Sequence, residues 1–176
     1  MKKLFLVGLS GLMLLGLTTC YEKPDFPTVP SIRFASISKV TEVDPLTTGL
    51  TDIVTIGIDF QDGDGDLGLS DTDPPTDDTE DLYYNYFITA FIQEGDDFVP
   101  IADPTALGNR GRFTRLTENN QAGPIEGTLN REIEYPYLVP LPVPPNSLVR
   151  FEVQIRDRAL NLSNVVVTDT IRIFTE

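Results

Sequence analysis

Three aspartates, Asp62, Asp64 and Asp66, alternate with Gly63 and Gly65 in the run Asp59-Phe60-Gln61-Asp62-Gly63-Asp64-Gly65-Asp66-Leu67-Gly68. Alternate carboxylates on a glycine-relaxed loop can turn several oxygens toward one point. That suits a hard cation such as Ca2+, which takes about six to eight oxygen ligands at flexible distances. The acids fill the first, third and fifth positions of an EF-hand loop, but Leu67 stands where that loop needs glycine and Asp73 replaces its closing glutamate. No helical pattern flanks the stretch. The expected site is therefore a Ca2+ loop at the end of a β-domain, not an EF-hand. Two other readings stay open: Asp-Gly pairs forming solvated Asx turns without an ion, and Arg156 and Arg158 neutralising the acids as salt bridges.

The elements that would position these acids read as strands. Asp52 to Phe60 puts Val54, Ile56, Ile58 and Phe60 on one face, the period of a half-buried strand that runs directly into the aspartates. Before it, Ile32 and Phe34 alternate and the phase then slips to Ile37, which predicts a bulge or a switch of sheet. After it, Asp81 to Gln93 predicts one long central strand, with Leu82, Tyr84, Tyr86, Ile88, Ala90 and Ile92 in phase. Phe98 to Ile101 predicts a short edge strand, because Pro100 cannot donate to a ladder. Residues 102–124 have no legible period. Ile125 to Tyr135 alternates again, although Arg131 falls in the apolar phase and a bulge or strand end is expected there. Pro136 to Pro145 holds five prolines and reads as a connection. Leu148 to Arg156 turns Val149, Phe151, Val153 and Ile155 inward. Asn164 to Phe174 predicts a closing strand with Val165, Val167, Ile171 and Ile173 in phase. About seven strands and no helix predict an all-β chain, a two-sheet antiparallel β-sandwich rather than a barrel.

Composition narrows the chemistry. The 176 residues carry 27 acidic against 13 basic side chains, a net charge of −14, which argues against nucleic acid as a partner. No Lys or Arg occurs from Val40 to Asn109, so the acids of the first half must find counter-charge in the later arginines, in a bound cation or in water. There is no histidine, which excludes Ser-His-Asp and Cys-His catalysis and histidine-ligated zinc in this chain.

Met1-Lys2-Lys3, an apolar run from Leu4 to Leu17, and Leu17-Thr18-Thr19-Cys20 have the layout of a secretory signal, too short for a membrane span. Cys20, the only cysteine, follows the small-residue cleavage site and resembles the lipobox cysteine of bacterial lipoproteins. That resemblance implies a covalent lipid on Cys20 as a membrane anchor, and Tyr21 after it implies the outer membrane, facing either the periplasm or the exterior. An ordinary signal peptide with an incidental cysteine is the alternative. Cleavage would remove Lys2 and Lys3 and no acid, moving the net charge from −14 to −16. The expected organisation is a signal peptide over 1–19, a proline-rich lipidated tether over 20–30, and one domain over 31–176.

Two motifs together carry a further resemblance. The Phe60–Gly68 stretch and Ile155-Arg156-Asp157-Arg158-Ala159-Leu160-Asn161-Leu162-Ser163-Asn164-Val165-Val166 look like paired signatures of uncharacterised Bacteroidota lipoproteins. The second also resembles the Asp-x-Ala-Gly-Asn-x-Ser turn before the last strand of bacterial immunoglobulin-like domains, with Leu160 where glycine is usual. The resemblance implies an immunoglobulin-like or fibronectin-III-like fold and supplies no activity. In such a fold both loops lie at one end. Asp157 would then join Asp62, Asp64 and Asp66 as a metal ligand, with Asp73 and Asn161 as possible additional ligands or turn residues.

The expected function is a non-catalytic binding or structural role in the cell envelope, by a lipoprotein whose domain Ca2+ stabilises. One alternative is a carbohydrate-binding or accessory lipoprotein of a surface uptake system; Tyr83, Tyr84, Tyr86, Phe87 and Phe91 could form a sugar-stacking platform, although aromatics on a central strand are more often core. Another is a small glycan hydrolase using paired carboxylates. A protein or glycan ligand is not named by any motif.

Overall fold

A computed structural model of the chain describes residues 23–73, 81–101, 110–117, 121–137 and 143–175. Cys20 and the expected signal lie outside the described residues, as do Asp77, Asp78 and Glu80.

The alternation over residues 52–60 becomes β2 (Leu50–Asp62), which pairs antiparallel with β1 (Ser31–Val43) on one side and with β6 (Ile125–Pro136) on the other. Val54, Ile56 and Ile58 are fully buried and Phe60 nearly so. The slip in β1 is a bulge between Phe34 and Ser36, which keeps Ile32 and Ile37 on the core side of a twisting strand. In the second sheet, β3 (Tyr86–Glu94) lies between β4 (Asp97–Pro100) and β7 (Ser147–Ile155), with β4 at the edge as Pro100 requires. Three short strands complete it: β5 (Arg110–Gly111) pairs with β3, and β8 (Val166–Val167) and β9 (Ile171–Ile173) pair with β7.

Every pairing is antiparallel, and the two sheets share one apolar core. Tyr135 of β6 stacks on Phe151 of β7 across it, ring centroids 6.5 Å apart. Val149, Phe151, Val153 and Ile155 are all completely buried, so the inward phase of β7 is as the sequence predicts. The architecture is all-β and sandwich-like.

Three strand expectations need correction. Residues 81–83 form a 3-10 turn and β3 begins only at Tyr86, because the buried Asn85 side chain holds the backbone of Phe113 at both N–H and C=O, at 2.9 and 3.1 Å. Leu82 is exposed as a result. No bulge interrupts β6 at Arg131, where the register runs on unbroken as Ile56 opposite Arg131. The closing strand is split, since the Thr168 hydroxyl accepts the Phe151 N–H at 3.0 Å and takes the chain out of the ladder between β8 and β9. Val165 and Val167 consequently point to solvent.

Candidate metal centre

The phase that buries Phe60 also carries Asp62 inward, so the last residue of β2 is a fully buried carboxylate. Its Oδ2 accepts the Asp66 N–H at 3.0 Å, a bond that bends the chain into a tight loop. Glycines make the loop possible. Gly65 and Gly68 have φ of 74° and 87°, and a Cβ on Gly68 would lie 2.2 Å from the Thr114 carbonyl oxygen. Leu67, the residue that spoils the EF-hand pattern, is completely buried in the core. It fastens the loop to the domain as a plug.

The loop meets the 157–161 turn directly. Leu67 and Asp157 form an isolated antiparallel bridge, the Arg158 N–H donates to the Asp66 carbonyl at 3.3 Å, and the Ala159 N–H donates to Asp66 Oδ2 at 3.1 Å. On its other sides, Gly63 N–H donates to the Pro27 carbonyl at 2.9 Å and Gly123 N–H to the Asp64 carbonyl at 3.0 Å. Four stretches of chain thus converge on the aspartates.

The remaining oxygens are the chemically informative ones. Oδ1 of Asp62, of Asp64 and of Asp66 is buried without a hydrogen-bond partner. One carboxylate oxygen from each residue lies within 4.8 Å of the other two. Two oxygens each about 2.4 Å from one ion can be no more than about 4.8 Å apart, so the three fit a single Ca2+ shell. Without a cation the arrangement is costly, since each fully charged pair repels by roughly 3 kcal/mol at an effective dielectric constant of about 20. Burial, then the charges of Asp64 and Asp66, push the Asp62 carboxyl up to about 6. Asp66 is raised too, by burial and then by Asp157 and Asp64, against the opposing Ala159 N–H and Arg158.

Chain comparison adds no assignment. No protein-family model and no curated protein matches this sequence.

Of the other expected ligands, Asp157 adjoins the three and Asp73 does not. Asp157 is buried beside Asp66, and each of its oxygens accepts one hydrogen bond from Asn161, from the backbone N–H at 2.7 Å and from the side-chain amide at 2.8 Å. Asn161 therefore fastens Asp157 as a turn residue. Asp73 is held by Arg115, whose Nε donates at 2.8 Å and whose Nη2 completes a two-pronged pair. Arg115 first, then the Ser70 N–H, lower its pKa. Arg158 directs Nη1 at the carbonyls of Leu67 and Gly68, and Arg156 directs Nη2 at the Tyr84 carbonyl and stacks over Phe87. Neither guanidinium satisfies the three inner oxygens.

Sequence reasoning passed over two polar residues that hold this end together. Asn164 pairs with both backbone groups of Ile32, at 2.9 and 2.8 Å, as a strand would, and Asn85 does the same for Phe113. Asn85 sits in surroundings like those of an ordinary loop asparagine, and Asn164, though within the second motif, carries no sign there of its partner Ile32.

Proposed function

We propose that this chain is a membrane-anchored cell-envelope lipoprotein whose immunoglobulin-like domain is closed at one end by Ca2+, with a non-catalytic binding or structural role. The observation that carries the reading is a cluster of three aspartates, one oxygen of each within 4.8 Å of the others, in which every residue keeps a buried oxygen without a partner. Buried polar atoms are otherwise nearly always partnered, and here a divalent cation supplies what the protein does not. Asp62, Asp64 and Asp66 would hold it, with water completing the shell.

The immunoglobulin-like reading is supported by two antiparallel sheets over one core and by the Asp157–Asn164 turn that follows β7. The lipid on Cys20 is supported by the sequence pattern. The tether reaches β1 past the aspartates, where Pro27 is bonded by Gly63, so the anchor would place the cation end toward the membrane. A non-catalytic role is supported by the sequence, which has no histidine for Ser-His-Asp or Cys-His catalysis.

Two measurements test the reading. Labelled fatty acid is expected to enter the wild-type protein in a lipoprotein-competent host and not the Cys20→Ser variant. The melting temperature of chelator-treated protein is expected to rise with Ca2+ and to fall back with excess chelator. Labelling that survives in Cys20→Ser contradicts the anchor, and a melting temperature indifferent to Ca2+ contradicts the metal centre.

A further inference from the structure

The turn after β7 keeps its polar groups inward and leaves its leucines outside. Asp157 is buried and closed by Asn161, and the Ala159 N–H is given to Asp66. Leu160 and Leu162, by contrast, are 54% and 49% exposed. Leu160 also has φ of 71°, a left-handed conformation in which a leucine is uncommon and strained. Strain of this kind persists where function needs it, and the domain gives Leu160 little to pack against.

The N-terminal stretch fixes what lies opposite these leucines. The Lys23 Nζ stands 2.9 Å from where a Cβ on Gly123 would be, and the Gly123 N–H donates to the Asp64 carbonyl. Further along, the Pro27 carbonyl accepts from the Gly63 N–H. The tether meets the aspartate loop at Gly63 and Asp64, and the leucine-bearing turn meets it at Asp66. Those contacts span three residues, about 11 Å at full stretch. Cys20 lies three residues before Lys23, again at most about 11 Å away. A lipid on Cys20 therefore holds this end of the domain against a bilayer, whose polar interface is about 5 to 8 Å deep on each side. The chain's net charge of −14 opposes attraction to an anionic surface, so apolar burial is the attraction this end can offer.

We propose that Leu160 and Leu162 enter the bilayer at the boundary of headgroups and acyl chains, making the turn a second, non-covalent membrane contact that sets the domain end-on to the surface. This rests on the lipid-anchor reading, because the tether supplies the orientation. Leu46 gives the contrast. It is 92% exposed in the turn between β1 and β2, at the far end of β2 from Asp62, and the 13 residues of that strand put it about 40 Å away.

The chain has no tryptophan, so Leu160→Trp, Leu162→Trp and Leu46→Trp each carry a single indole reporter. The test reconstitutes the acylated full chain of each variant into phosphatidylcholine vesicles, with and without bromine on the acyl chains, and isolates the vesicles by flotation. Leu160→Trp and Leu162→Trp are expected to emit at shorter wavelength than Leu46→Trp and to lose emission in brominated vesicles, while Leu46→Trp emits as in water and is not quenched. Protein that floats with the vesicles but shows water-like, unquenched emission at both 160 and 162 overturns the insertion and leaves the anchor standing. Quenching of Leu46→Trp as strong as that of the other two overturns the end-on orientation. Protein that does not float overturns the anchor and the insertion with it. If Leu160→Trp does not fold, Leu162→Trp against Leu46→Trp decides alone.

Discussion

Asp52 and Asp62 stand near opposite ends of β2, both completely buried, and the protein meets the charge of only one of them. Asp52 accepts from Lys39 Nζ at 3.0 Å, Thr41 Oγ1 at 2.6 Å, the Tyr137 hydroxyl at 3.2 Å and the Phe174 N–H at 2.7 Å. Burial alone would raise its pKa, but the bonds from Thr41, Lys39 and Phe174 win and the pKa is lowered. Asp62 has the Asp66 N–H on one oxygen and nothing on the other, and its pKa is raised. The first is a structural carboxylate. The second keeps one oxygen that no described group meets.

Substitution should separate these roles. Asp52→Ala leaves Lys39 without its buried partner and is expected to cost about 3 to 5 kcal/mol with or without Ca2+. Asp62→Asn is expected to melt no lower than the wild type in chelator at neutral pH, and to lose the rise on adding Ca2+. Denaturant melts of both variants, with and without the ion, check the pair of outcomes.

The pH dependence has a definite sign. A carboxyl raised from 3.8 to about 6 in the folded state binds more protons there than in the unfolded chain. Its contribution to ion-free stability is therefore fully present below pH 3.8 and is lost as pH rises through about 6. Protons and Ca2+ compete for the same oxygens, so Ca2+ affinity should climb over this window. Urea midpoints of the chelator-treated protein between these pH values, compared with Asp62→Asn, should show a downward slope that the variant flattens.

Asp73 lies in an Arg115 pair, away from the cluster. Asp73→Asn is accordingly expected to leave Ca2+ affinity within about twofold and to cost about 1 kcal/mol or less, as for a pair near the surface. A tenfold loss of affinity, measured by competition with a chelating dye, would move Asp73 into the coordination shell.

Leu160 has φ of 71° and is 54% exposed, so it carries left-handed strain with little burial to offset it. Leu160→Gly is expected to stabilise the domain by about 1 kcal/mol. A thermal melt checks this, and a loss of stability would mean that the side chain packs in a way its exposure conceals.

Much of this arrangement is legible in the residues. The alternation in β2 and β7 reaches the structure unchanged because each strand buries one whole face, leaving no choice of phase. The aspartate loop and the 157–161 turn were expected at one end, and the Leu67–Asp157 bridge joins them there. Illegible were the places where a side chain replaces a strand neighbour, as Asn85 does before β3 and Thr168 between β8 and β9, because local period carries no sign of a distant backbone partner. Arg131 was legible as an anomaly in the apolar phase, but not that its guanidinium lies against Gly111 on a strand of the other sheet. Leu67 misled in the same way, since its violation of a loop pattern is what anchors the loop in the core.

Calorimetric titration of chelator-stripped protein with CaCl2 at neutral pH tests the central claim most directly, with Asp64→Asn as the matched control. A saturable heat corresponding to one ion per chain, absent in the variant, is the predicted result. No heat up to millimolar Ca2+ in a folded wild-type protein would contradict it, and the three inner oxygens would then be met by water alone.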